Sequence, residues 1–294
     1  MTAALPGFGS TPGRTRGGST PSTGRARSDG PGATLVKIAG FESTDYALLR
    51  GTLVWIGDDP TLRHPRNLRS PWSPPPIACD PQRLRAGARA CLDLLHAMPA
   101  TGLLHAMPAT GLLHAMPATG LLHALPGTGL LHWLTGQPLP FPLNRATPRF
   151  DAIRAALERN DLRAFEAGAR RILGLGQGLT PSGDDFVGGI CFALRYAPRD
   201  AWRADLPAVL ARIRSCAATA TNVISAALLD DLIDGASYGA LHELLAALQG
   251  KMLAEIAHAT QALLRVGASS GADMLAGLLA ALLTTPCSDI EAQP

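Results

Sequence analysis

Aromatic residues, lysine and paired cysteines are what this 294-residue chain is short of. With only 5% Phe, Trp and Tyr, its core has to be filled by Ala and Leu, and glycine is abundant at 31 residues. Lysine occurs only at Lys37 and Lys251, so arginine carries nearly all of the positive charge. The net charge of +3 belongs to the first 32 residues, where Arg14, Arg16, Arg25 and Arg27 face Asp29 alone. The remainder is balanced, which leaves no basic face and no reason to expect a nucleic-acid partner. Cys79, Cys91, Cys191, Cys216 and Cys287 are odd in number and widely spaced, with no Cys-x-x-Cys pair. That pattern argues against a disulfide framework or a zinc ribbon and for thiols in a reducing, cytoplasmic setting. No run of 18 apolar residues occurs, so no membrane partner is expected.

What is present divides the chain. Residues 1–32 are Gly, Ser, Thr, Pro and Arg with little to bury, and read as a disordered tail. Residues 33–93 form a β-containing region: Ala33–Ile38 and Leu48–Ile56 have strand character, and a helix from Pro81 sets Leu84, Ala88, Cys91 and Leu95 on one face. Residues 94–136 are a nonapeptide repeat. Leu-Leu-His-Ala-Met-Pro-Ala-Thr-Gly stands unchanged at 94–102, 103–111 and 112–120, recurs with two changes at 121–129, and restarts at Leu130. Pro and Gly in every copy disfavour a continuous helix. The repeated histidines do not suggest a metal site, because nine residues at about 100° each put successive side chains on opposite faces of any helix. Residues 137–285 are helical in pattern, with segments expected at 150–159, 162–172, 183–196, 202–215, 217–234, 238–248, 250–265 and 270–284. Residues 286–294 are a tail. The fold class expected is α+β: a small β-containing N-terminal part and a mainly helical C-terminal domain.

Two glycine-rich loops carry the chemistry. In the first, Gly174, Gly176 and Gly178 alternate before Thr180-Pro181-Ser182-Gly183-Asp184-Asp185. The second is Gly267-Ala268-Ser269-Ser270-Gly271-Ala272-Asp273, and both share Ser-Gly-x-Asp followed by an apolar run and Gly. A dinucleotide fingerprint would need a strand before it, and a P-loop would need Lys and Ser or Thr where Asp184 and Asp185 stand. A Ser269 nucleophile elbow would need a preceding strand and a later histidine, and no His follows His258. Ser182 with Asp185, and Ser270 with Asp273, have the spacing of capping boxes worth about 1 kcal/mol each. Capping leaves the run of glycines and Asp184 unexplained. Free amides at a helix start favour an anion. Two aspartates there call for a bridging cation, a turned-away carboxylate, or a ligand with both N–H donors and anionic oxygens. Asn222 and Ser225, with Thr219 and Thr221, form a polar patch three to four residues apart that could line the cleft. Arg171 and Arg265, each just before a loop, and the basic turn His64–Arg69 are weaker candidates.

The sequence Gly-x-Gly-Leu-Thr-Pro-Ser-Gly-Asp-Asp at 176–185, together with Gly-x-Ser-Ser-Gly-x-Asp at 267–273, resembles the AllH family over roughly residues 35–285. The resemblance implies one subunit of a multi-subunit oxamate carbamoyltransferase of purine (allantoin) breakdown, with an FdrA-type partner subunit. It acts on oxalurate and phosphate to give oxamate and carbamoyl phosphate. In that setting Asp184 and Asp185 are the catalytic candidates. Asp184 is expected to accept from a substrate amide, and Gly174, Gly176, Gly178, Thr180, Ser182, Gly183, Asn222, Ser269, Ser270, Gly271 and Asp273 are expected to line the substrate. No cofactor is certain. The alternatives are a magnesium-dependent hydrolase or lyase using Asp184, Asp185 and Asp273, and a non-catalytic ligand-binding or assembly subunit.

Overall fold

Helices rich in Ala and Leu dominate the computed structural model, which describes residues 35–40, 44–49, 52–57, 63–69, 72–97, 129–139, 141–250 and 252–284. The expectations for the two tails and for most of the repeat lie outside these residues. Strands β1 (Leu35–Gly40), β2 (Thr44–Leu49) and β3 (Thr52–Gly57) form an antiparallel sheet in that order. The apolar run 48–56, read as one strand, is divided between β2 and β3. Leu49 of β2 pairs with Thr52 of β3, so the two strands are antiparallel neighbours rather than one continuous strand. The fold class is α+β, as expected.

The helices that follow are α1 (Pro81–Ala97), α2 (Leu131–Leu134), α3 (Thr147–Glu158), α4 (Leu162–Ile172), α5 (Ser182–Tyr196), α6 (Leu206–Ala220), α7 (Val223–Asp234), α8 (Gly239–Gln249), α9 (Leu253–Leu264) and α10 (Ser270–Leu283). Leu84, Ala88, Cys91 and Leu95 of α1 are fully buried, as their spacing predicts. Local chemistry sets several boundaries: the carboxylate of Asp80 accepts from Gln82 N, that of Asp161 from Ala164 N, and the amide oxygen of Asn222 from Ile224 N and Ser225 N. The Asn222 cap corrects the expected helix 217–234. Helix α6 runs on to Ala220 and stops, and α7 starts afresh, so Thr219, Thr221, Asn222 and Ser225 mark a junction between two helices.

The centre of the molecule is the pair α5 and α10. Every residue from Ser182 to Leu194 and from Gly271 to Leu282 is buried. A helix that is apolar all round needs neighbours all round. Helices α1, α3 and α9 pack on α10, and α4 and α7 on α5. Gly189 lies where a Cβ would fall 2.1 Å from the carbonyl oxygen of Met274, and Gly277 where one would fall 2.1 Å from that of Phe186. The two backbones touch because neither glycine has a side chain. The sheet docks beside this core. Trp55 exchanges backbone hydrogen bonds with Arg66 and Leu68, and Arg66 forks onto Asp231 of α7 at 2.5 and 2.6 Å. His64 is buried against the rings of Trp55 and Tyr238. The basic turn 63–69 therefore ties the sheet to α7 and α8. No helix among the described residues is long and apolar enough to cross a membrane.

Candidate functional site

Helices α5 and α10 start side by side, and each brings one buried carboxylate to that end: Asp185, 5% exposed, and Asp273, 0% exposed. Neither helix is capped as its sequence predicts. Pro181 holds the N-cap position of α5 and Ser269 that of α10, and neither makes a side-chain cap bond. Ser182 and Ser270 are the first helical residues, and their hydroxyls serve the carboxylates across the interface: Ser182 acts on Asp273 and Ser270 on Asp185. The capping boxes are thus replaced by crossed hydroxyl–carboxylate contacts between the two helices.

Asp184 and Asp185 have different surroundings. Asp184 is 2% exposed, and both its oxygens are taken: Oδ1 accepts from Gly174 N at 2.7 Å, and Oδ2 from the hydroxyls of Thr221 at 2.5 Å and Ser225 at 2.6 Å. It pins the first loop to the α6–α7 junction. Asp185 Oδ2 and Asp273 Oδ2 are buried without a hydrogen-bond partner among the described residues. Burial pushes Asp185 well above the ordinary carboxylate range, the charge of Asp273 pushes it further, and the hydroxyls of Ser270 and Thr180 offset part of the rise. Burial also lifts Asp273, to about 6, against the N–H of Leu130 and the hydroxyls of Ser182 and Ser269. Burial thus holds both carboxyls toward their protonated form, in which each can donate and, once ionised, accept.

The loops form the outer wall. Gly174, Gly176 and Gly178 all have positive φ, at 75°, 131° and 94°. A Cβ on Gly174 would strike the carbonyl oxygen of Ala220, whereas Gly178 faces open space. Asn222 holds this loop from outside, its side-chain N–H donating to Leu179 O at 2.8 Å. Thr180 and Ser270 join the two loops through a hydroxyl–hydroxyl hydrogen bond of 2.7 Å. Gly183 and Gly271 sit one residue inside each helix, packed against the carbonyl oxygens of Ile172 and Leu263. The residues predicted from both motifs therefore converge on one place. Arg171 and Arg265 stay exposed, and His64–Arg69 belongs to the sheet anchor.

Two contributors carried no mark in the sequence. Gly129 and Leu130, at the end of the repeat, close the site from the side: Leu130 N donates to Asp273 Oδ1 at 2.7 Å, and a Cβ on Gly129 would fall 2.2 Å from the same oxygen. Gly129 ends its copy as Gly102, Gly111 and Gly120 end theirs, and Trp133, four residues on, sets its segment apart. Tyr46 of β2 and Tyr238 before α8 lie within electrostatic reach of Asp185, whose charge adds to the effect of burial in raising both phenols. A cavity of about 520 Å³ lined by Leu194, Arg195, Leu206 and Arg214 lies at the other end of α5 and takes no part. Among the described residues no group of three or more His, Cys, Asp or Glu side chains is placed to hold a metal ion. With both oxygens of Asp184 taken by Gly174, Thr221 and Ser225, the alternative of a cation held by Asp184, Asp185 and Asp273 lacks one ligand.

Residues 172–282 match the family described as oxamate carbamoyltransferase subunit AllH, a span from the end of α4 almost to the end of α10. That span is narrower than the resemblance read from the sequence and contains both loops and both acidic helices. No curated protein and no solved structure matches the chain.

Proposed function

On the premise of AllH-family membership, supported by the match over residues 172–282, we propose that this chain is one subunit of an oxamate carbamoyltransferase-type enzyme. It works in the cytoplasm with partner subunits that include an FdrA-type protein, in purine (allantoin) catabolism. The observation that carries the reading is the buried pair Asp185 and Asp273, each with one unpartnered oxygen, beneath two hydroxyl-lined loops.

Carbamoyl transfer from oxalurate to phosphate breaks the bond between the carbamoyl carbon and the oxamate nitrogen and forms one to a phosphate oxygen. The leaving nitrogen gains a proton, and hydrogen phosphate loses one. A carboxyl–carboxylate pair with a single proton supplies the first and accepts the second, ending with its proton exchanged between the two sides. Asp185 and Asp273 are the catalytic residues in this reading. Asp184 is a positioning residue that fixes the first loop. Thr180, Ser182, Ser269, Ser270 and Asn222 shape the substrate's surroundings, with the backbone of Gly174, Gly176, Gly178, Gly183 and Gly271.

The test is to capture the tagged chain with its partners and follow phosphate-dependent formation of carbamoyl phosphate from oxalurate. Wild type is expected to be active, and Asp185→Asn and Asp273→Asn each to lose about a hundredfold or more in kcat. An intact complex that leaves oxalurate untouched would reject the substrate. Full activity in both variants would reject the pair and leave the chain an assembly subunit.

A further inference from the structure

The two loops belong to two copies of one helix–loop–helix unit. In the first, α4 ends with Leu175 N bonded to Ile172 O, and the chain re-enters at α5 with Gly183 N bonded to Leu175 O and Asp185 N to Pro181 O. In the second, Val266 N bonds to Leu263 O, Gly271 N to Val266 O and Asp273 N to Ser269 O, the same bonds in the same order. A Cβ on Gly176 would meet Ser182 N, and one on Gly267 would meet Ser270, its counterpart. The contacts between the copies are reciprocal as well. Gly189 packs on Met274 O and Leu278 N, and Gly277 on Phe186 O and Ile190 N. Ser182 reaches Asp273, and Ser270 reaches Asp185. This is a local two-fold arrangement, and the carboxylates lie on either side of its axis.

The copies differ at the loop. Seven residues separate Leu175 from Gly183, and four separate Val266 from Gly271. The three additional residues are Gln177, Gly178 and Leu179. Together with Thr180 they present backbone N–H groups that donate to no described residue. Gln177 and Gly178 are exposed. Both loops set hydroxyls beside the acid pair, and the shorter one adds Ser269, half-buried and acting on Asp273, where the longer has Pro181. A phosphate dianion accepts on every side and needs several N–H donors. Oxamate offers N–H donors beside its carboxylate and suits hydroxyls that both give and accept.

We propose that the two copies are two subsites: the longer loop, Gly176–Thr180, holds inorganic phosphate, and the shorter loop, Gly267–Ser270, holds the oxamate end of the other substrate. The transferred group lies on the axis between Asp185 and Asp273, whose unpartnered oxygens point to a ligand there. This division rests on the proposed carbamoyltransferase reading and accounts for why a nearly symmetric site carries one lengthened loop.

The experiment is calorimetric titration of inorganic phosphate and of oxamate into the purified subunit complex. The two ligands are expected to bind together, with saturating oxamate changing the Kd of phosphate by less than about threefold. Deleting residues 177–179, which gives the first loop the length of the second, is expected to weaken phosphate at least about tenfold and oxamate less than threefold, and Ser269→Ala to do the reverse. Displacement of phosphate by oxamate, or equal weakening of both ligands by the deletion, would overturn the division. Titration needs no turnover. A complex that binds both ligands separately but transfers no carbamoyl group would therefore refute the proposed activity and leave the two subsites in place.

Discussion

Asp184 and Asp273 are both buried at the start of a central helix and have opposite effects on stability. Removing the three donors' shared acceptor by Asp184→Ala is expected to cost about 3 kcal/mol and loosen the first loop, read as a fall in Tm and faster proteolysis near Gly178. Asp273→Asn acts the other way. The carboxyl is held up at about 6, above its unfolded value near 3.9, so the folded state takes up its proton more readily. Its contribution is favourable below about pH 4 and lost as the pH rises through 6. Asp273→Asn, which can still accept from Leu130 N, is expected to stabilise the protein by about 3 kcal/mol at pH 8 and by almost nothing at pH 4, while abolishing transfer. The sequence revealed the acidic residues but not this division between them. Thr221 and Ser225, which occupy Asp184, lie 37 and 41 residues away, and no local spacing joins them to it.

Between elements, the contact of α5 with α10 depends on two missing side chains. Gly189→Ala or Gly277→Ala would drive a methyl group into a facing backbone carbonyl. Each is expected to cost about 3 kcal/mol or more and to separate the two acids, lowering Tm and activity together. Gly188→Ala meets only the side chain of Leu232, which can shift, so a smaller loss is expected from the same melting experiment. Helices 162–172 and 270–284 were legible from apolar periodicity almost to the residue. The start of α5 reads one residue late, at 183, because Ser182 looks like the cap when its hydroxyl in fact turns to the opposite helix. The break at Thr221-Asn222 was hidden for a similar reason: polar residues inside a run of alanines look like a helix face until a cap bond ends the helix.

For the whole molecule, opposing titrations set a window of stability. His64 and His242 are buried, and burial is the main cause lowering them, to about 3 and about 4. Below about pH 6.5 the unfolded chain takes up protons that these rings refuse, so stability falls toward acid. Asp185 and Asp273 remove stability toward alkali. Tm is therefore expected to peak near pH 6, with the acid limb flattened by His242→Phe and the alkaline limb by Asp273→Asn; a flat profile in wild type would contradict both assignments. The repeat has a consequence for folding at this same scale. Gly129-Leu130-Leu131-His132 docks on Asp273, yet the identical tetrapeptide also begins at Gly102, Gly111 and Gly120. Four equivalent segments compete for one berth, and what singles out the last is Trp133, whose indole donates to Asp151 and packs on Phe150 and Phe186. The other copies have alanine there. A single indole thus works as a register mark. Without it the chain would thread into its own core at any of four positions, and refolding would divide among slipped forms of equal composition and unequal loop length.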